Sequence, residues 1–99
     1  MTTPAALRID GSVRLRLARG VRLHRDEVRG QTVLLAPERA MALDDIAQRI
    51  VAALDGQRTL DAVVDGFAEA FNAPRDEIAA DVLAFVRELA DRRMLEEMP

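Results

Sequence analysis

The hydrophobic pattern of the first half of this chain is that of β-strands. Between residues 16 and 43, Val21 and Leu23 alternate with Arg22 and His24, and residues 32–35 are rich in residue types that favour strands. The loop between these two runs, residues 26–30, ends in Gly30, which can adopt the positive φ that such a loop needs. The pattern therefore predicts a β-hairpin.

A third strand is predicted at residues 39–43, after the break at Pro37. Alternation places Arg39, Met41 and Leu43 on one face of this strand and two alanines on the other. If the strand lies at the edge of the sheet, its unpaired backbone groups must be either protected or used.

From residue 44 onward the hydrophobic period becomes helical. Asp44 is placed to cap a first helix that ends before Gly56, Thr59 to cap a second, and Pro74 to begin a third that runs to about Arg92. The predicted buried stripes of the first two helices are Leu43, Ile46, Ala47, Ile50, Val51 and Leu54, and Leu60, Val63, Val64, Phe67 and Phe71.

Together these elements predict an α+β domain of winged helix-turn-helix type, with a three-stranded antiparallel sheet followed by three helices. We expect the domain to span residues 15–97, with a short terminal strand at residues 94–97. Residues 1–14 show no periodicity and are predicted to form a mobile N-terminal arm.

Composition excludes most catalytic chemistry. The 99 residues are 49% hydrophobic and include one His, one Ser and no Cys, Lys, Tyr or Trp. A nucleophile with an adjacent base cannot be assembled from these side chains, nor can a thiolate metal site. We therefore expect no enzyme activity, no metal and no cofactor, and we interpret His24 as an ordinary strand residue. No segment resembles a signal peptide or is apolar enough to cross a bilayer, so we expect a cytoplasmic protein without membrane contact.

The charge distribution bears on nucleic-acid binding. Residues 1–43 carry eight arginines against four acids, whereas residues 44–99 carry six arginines against 13 acids. The second predicted helix exposes an acidic row of Asp61, Asp65 and Glu69, which would repel phosphates in a recognition helix. We expect no nucleic-acid partner, although a basic hairpin touching a DNA backbone remains an alternative.

The third predicted helix has more apolar surface than one core contact needs, since two adjacent stripes span about 160° of its circumference. Either both stripes are buried, or one packs in the core while the other borders a groove with the sheet. An edge strand beside an apolar helix is a site at which a peptide can add as a further strand. The same edge, or the arm, also allows self-association. The two stripes are Ile78, Val82, Phe85 and Leu89, and Ala79, Leu83, Val86 and Ala90.

Three segments give the chain a family resemblance. They read VRLHRDEVRGQTVLLAPERAMAL from Val21, LDGQRTLDAVVDGFAEAF from Leu54 and PRDEIAADVLAFVRELADRR from Pro74. None is a strong motif alone, but the order of the V-R-G turn, the L-L-A-P-E-R step, the D-G-x-x-T junction and the late I-x-x-D-V is specific in combination. Over about residues 15–97 the chain closely resembles the PqqD family of pyrroloquinoline quinone biosynthesis.

The resemblance implies a peptide chaperone without catalysis of its own. Such proteins bind the leader region of the precursor peptide PqqA and present it to PqqE, the radical S-adenosylmethionine enzyme that crosslinks its Glu and Tyr side chains. The leader is expected to dock as an antiparallel strand beside the third strand and against the third helix. Carried over to this chain, the contacts are Arg39, Ala40, Met41, Ala42 and Leu43 from the strand, and Ala79, Leu83, Val86, Arg87 and Ala90 from the helix.

Two of the carried-over features concern charge and backbone conformation. Arg87, at the rim of its stripe, is placed to pair with an acidic leader residue or is an ordinary exposed helix arginine. The family commonly has a glycine at the end of the last helix, where this chain has Arg93. Glycine is the usual residue at a helix end, so the arginine at this position affects where the last helix is expected to end and where the terminal strand begins.

Overall fold

The structure, a computed structural model, describes residues 9–99. Within them the chain is a mixed α+β fold with six strands, two three-stranded sheets and three helices. In chain order the elements are β1 (Arg14–Leu17), β2 (Arg22–Asp26), β3 (Gln31–Ala36), β4 (Arg39–Leu43), α1 (Asp45–Ala53), β5 (Asp55–Thr59), α2 (Leu60–Phe71), α3 (Arg75–Asp91) and β6 (Leu95–Met98).

One sheet is the predicted antiparallel meander, and it confirms the hairpin and the third strand. Its order is β2-β3-β4, with Leu34 at the centre of β3 opposite Leu23 on one side and Met41 on the other. Gly30 has a φ of 64°, as the hairpin loop was expected to require. Strand β4 is an edge strand of this sheet.

The second sheet was not predicted, so the expectation of one three-stranded sheet followed by three helices is incomplete. Its order is β5-β1-β6, and β1 pairs antiparallel with both neighbours. Strand β5 has the turn-like sequence DGQRT, and it is extended because β1 pairs with it, with Arg14 opposite Thr59. The sequence of β5 therefore has no local strand signature, although β1 alternates as RLRL.

The predicted arm overlaps the start of this sheet. Residues 1–8 lie outside the described residues, whereas Val13 is buried in the core and Arg14 begins β1. A boundary between arm and domain at residue 14 stays a prediction.

The helix starts agree with the sequence. The Asp44 carboxylate accepts a hydrogen bond from the Ala47 N–H at 2.7 Å, and the Thr59 hydroxyl accepts one from the Ala62 N–H at 3.2 Å. Each cap satisfies an N–H group that has no partner inside its helix. Pro74 directly precedes α3, as its fixed φ favours.

The core is aliphatic and joins both sheets to all three helices. Helix α3 is central to it, because both of its apolar stripes contribute buried residues, Val82 and Leu89 from the first and Val86 and Ala90 from the second. The largest fully buried side chains are Leu15, Leu34, Leu89, Met94 and Val86.

The end of α3 shows how the chain accommodates Arg93, at a position where the family resemblance favours a glycine. The Met94 N–H donates to the Leu89 carbonyl at 2.9 Å and the Arg93 N–H to the Ala90 carbonyl at 2.9 Å. These bonds place Arg93 in the left-handed region, at a φ of 60°. The helix then ends, and β6 follows.

We expect Arg93→Gly to stabilise the protein by about 1 kcal/mol, because a left-handed conformation strains every residue that carries a Cβ. Urea unfolding of the two proteins measures this difference. Asn72→Gly is the matched control: Asn72 ends α2 with a φ of 50° in the same bonding pattern, but asparagine tolerates this region, so its gain should be smaller. A loss of stability in Arg93→Gly would contradict this account of the helix end.

Candidate functional site

The outer edge of β4 is open among the described residues. The two-residue turn at Pro37 and Glu38 closes the β3-β4 hairpin with Ala36 opposite Arg39. Residues flanking such a turn are hydrogen-bonded to each other, and hydrogen-bonded and non-bonded pairs then alternate along the strands. Ala40 and Ala42 therefore turn their N–H and C=O groups away from β3, toward the open edge.

The opposite edge of the same sheet is formed by β2, whose character is different. Its first four residues are all exposed and include Arg22, His24 and Arg25. Charged side chains along an edge strand oppose the addition of another strand. On β4 the outward-facing residues are instead the small, uncharged Ala40 and Ala42, which let a second backbone approach closely.

Helix α3 runs beside β4. At one end the Arg39 guanidinium donates to the Arg92 carbonyl at 2.5 Å. Just beyond the other end of β4, Ile46 lies with Ile78 and Val82 around a shared cavity. The carboxyl end of α3 thus lies near the start of β4, and its amino-terminal half lies near Ile46, past the end of β4, so the two elements run in opposite directions. We call the space between them the β4–α3 groove.

The cavity lies at the α1 end of this groove. It has a volume of about 220 Å³ and is lined by Ile46, Ile50, Phe67, Phe71, Ile78, Asp81 and Val82. Ile46 and Phe71 are 52% and 38% exposed, so their assignment to buried stripes was wrong. At this end of the three helices neither side chain is fully covered. Phe71 stacks on Phe67 with ring centroids 5.9 Å apart.

The predicted site residues fall into two groups. On β4, Arg39, Ala40 and Ala42 are exposed, Met41 is half-buried and Leu43 is buried. On α3, Ala79 and Leu83 are half-buried and Arg87 is exposed, while Val86 and Ala90 are covered by the protein itself.

The α3 residues that reach the cavity belong to the other stripe. They are Ile78 and Val82, together with the neighbouring Asp81. At 100° per residue, Arg87 lies about 180° around the helix from Ile78. Sequence reasoning had no signal to choose between two equally apolar stripes, and the choice of the stripe with Ala79, Leu83 and Val86 stays a prediction.

Two ionisable groups with shifted pKa values lie outside the groove. Hydrogen bonds from the backbone N–H groups of Arg58 and Gln57 lower the pKa of Asp55. Ion pairs with Asp65 and Asp61 raise the pKa of Arg75. Both shifts favour the charged form, which is typical of surface ion pairs and turns rather than of proton-transfer groups.

Among residues 9–99, no group of three or more His, Cys, Asp or Glu side chains is arranged to hold a metal ion. No helix in this part of the chain is long and apolar enough to cross a membrane.

Comparison with known proteins places this geometry in a family. The model of the family described as coenzyme PQQ synthesis protein D (PqqD) matches residues 31–95. The chain belongs to the PqqD family. A relative in Rhizobium meliloti (strain 1021), named PqqA binding protein, is 66% identical over 96 residues that cover 97% of each chain.

Solved PqqD structures have the same fold. The solution NMR structure of the PqqD truncation of Methylobacterium extorquens PqqCD, described as a functional, stand-alone recognition element for ribosomally synthesized and post-translationally modified peptides, matches with a TM-score of 0.76. It is 42% identical, and the match covers 96% of this chain and 99% of that one. The crystal structure of PqqD from Xanthomonas campestris matches with a TM-score of 0.57 at 33% identity, covering 97% and 98%. The PqqD resemblance is thus confirmed.

Proposed function

We propose that this PqqD-family chain binds the precursor peptide PqqA as an added strand on the β4 edge and presents it to PqqE. The observation that carries the proposal is the open edge of β4 near α3, where the outward-facing backbone groups belong to the uncharged Ala40 and Ala42. The name of the Rhizobium meliloti relative and the description of the Methylobacterium extorquens domain support a peptide partner.

In this proposal the backbone of β4 supplies affinity and the groove supplies selection. Ala40 and Ala42 offer their outward N–H and C=O groups to the peptide backbone, which is the bonding pattern of strand addition. The half-buried Met41 is an adaptable apolar contact on the inner face of the sheet. On α3 the half-buried Ile78, Ala79 and Leu83 and the exposed Arg87 are accessible to the peptide, whereas Val82, Val86 and Ala90 are buried and would first have to be uncovered.

The chain acts here by holding a substrate for another enzyme, with no reaction of its own. The groove offers backbone groups and aliphatic side chains, which orient a peptide but transfer no proton or bond. We propose that it works in the cytoplasm, where a ribosomally made peptide is released. A winged-helix description of the domain, with the β3-β4 hairpin next to the helices, belongs to the same proposal.

Titration of the protein with fluorescently labelled PqqA peptide tests the proposal. We expect saturable one-to-one binding that changes little between low and moderate salt, and no binding of a peptide with the same residues in scrambled order. Lack of PqqA binding would contradict the proposal. Binding to duplex DNA that falls steeply with salt would favour the DNA alternative instead.

A further inference from the structure

We propose that the cavity between α1, α2 and α3 is an anchor site for one bulky apolar side chain of the bound peptide, followed or preceded by a basic residue that pairs with Asp81. The inference rests on the proposed function, because the cavity begins at Ile46, just past the carboxyl end of β4. We call this site the anchor cavity.

The size and lining of the anchor cavity suit a side chain. Cavities of about 150 Å³ lined by Leu, Ile and Phe bind benzene, and this one has about 220 Å³. It is open to solvent at Ile46 and Phe71, the two members of the predicted helix stripes that the fold leaves exposed. An apolar group entering here would remove both side chains from water, which is favourable in proportion to the area covered.

The position of the anchor cavity fixes which part of the peptide reaches it. Strand β4 runs from Arg39 toward Leu43, and the cavity begins at Ile46, past the carboxyl end of the strand. A peptide paired antiparallel to β4 runs in the opposite direction, so its residues N-terminal to the paired segment lie over the cavity. The anchor is therefore an apolar residue that precedes the paired segment. Parallel pairing would place it after that segment.

The charges at the rim determine the neighbour of the anchor. Asp81 is exposed on the α3 side and makes no ion pair among residues 9–99. On the α1 side Arg49 lies over the Phe71 ring, 5.6 Å from its centroid, and makes no ion pair with Asp81. The α3 side of the rim thus presents an unpaired negative charge, which favours a lysine or arginine next to the anchor.

Binding of PqqA peptides to cavity variants tests the inference. Each apolar residue preceding the paired segment is replaced in turn by alanine, and affinity is measured against the wild-type protein and Ile46→Asp. One of these peptide replacements should weaken binding to the wild-type protein by about tenfold or more. The same replacement should weaken binding to the Ile46→Asp protein by much less, because the anchor cavity is already disrupted there. Ile46 is half-exposed in the first turn of α1, so an acid there is compatible with folding. Val28→Asp, at a residue 96% exposed in the hairpin loop, is the matched control and should bind as wild type does.

Charge exchange tests the role of Asp81. Asp81→Lys should weaken the natural peptide by about two- to fivefold at low salt and should bind more tightly to a peptide whose neighbouring base is replaced by glutamate. If wild type binds PqqA but no alanine replacement or Asp81→Lys changes the affinity, the anchor site is overturned while strand addition at β4 stands. If wild type does not bind PqqA at all, both proposals fail together.

Discussion

Ala42→Pro is expected to weaken PqqA binding by about ten- to a hundredfold while leaving the fold intact. The substitution removes an N–H group that faces the open edge and makes no bond to β3, and proline is tolerated at such edge positions. The peptide carbonyl that faces residue 42 would be buried without a hydrogen-bond donor, which costs about 1–3 kcal/mol. Fluorescence titration gives the affinity, and a proton–nitrogen correlation spectrum reports the fold.

Two further substitutions distinguish the loss of the Ala42 N–H group from a change of its side chain and from damage to the sheet. Ala42→Ser changes the side chain but keeps the N–H group, so it should bind nearly as well as wild type. Met41→Pro removes an N–H group that bonds to Leu34, so it should disturb the sheet itself. Unchanged affinity in Ala42→Pro would exclude β4 as the docking edge.

Leu34→Ala is expected to lower the free energy of unfolding by about 2–5 kcal/mol, the largest stability effect of a single truncation that we anticipate. Leu34 is 0% exposed at the centre of β3, and its removal leaves a cavity under the sheet that carries β4. Small domains are stable by about 5–15 kcal/mol in total, so much of the margin would be lost. Urea unfolding measures the change.

Leu23→Ala is the control for this substitution. Leu23 lies directly opposite Leu34 on β2, on the same face of the sheet, but it is exposed. The same truncation there should cost well under half as much. Equal losses in the two variants would mean that Leu34 is not the central contact of the sheet with the core.

The parts of the fold that could be predicted are those with local causes. The hairpin follows from alternation and Gly30, and the first two helices from the side chains of Asp44 and Thr59 that cap them. Strand β5 could not be predicted, because pairing with residues of β1 more than 35 positions away in sequence makes it extended. Its sequence, DGQRT, favours a turn when considered alone. Strand β1 alternates as RLRL, but its sequence does not indicate the distant strands with which it pairs.

The candidate site likewise has one part that could be predicted from the sequence and one part that could not. Its strand half could be predicted, because the break at Pro37 makes β4 the next strand of a meander and hence an edge. Its helix half depends on how α3 rotates within the core. Both stripes are apolar and both contribute buried residues, so the stripe that borders β4 stays a prediction.

Amide hydrogen exchange of β4, measured by NMR with and without PqqA peptide, tests strand addition most directly. We expect the Ala40 and Ala42 amides to exchange quickly in the free protein and slowly at saturation. The Met41 amide, bonded to β3 in both states, should change little. Protection that appears instead along β2, or that fails to alternate along β4, would contradict the account.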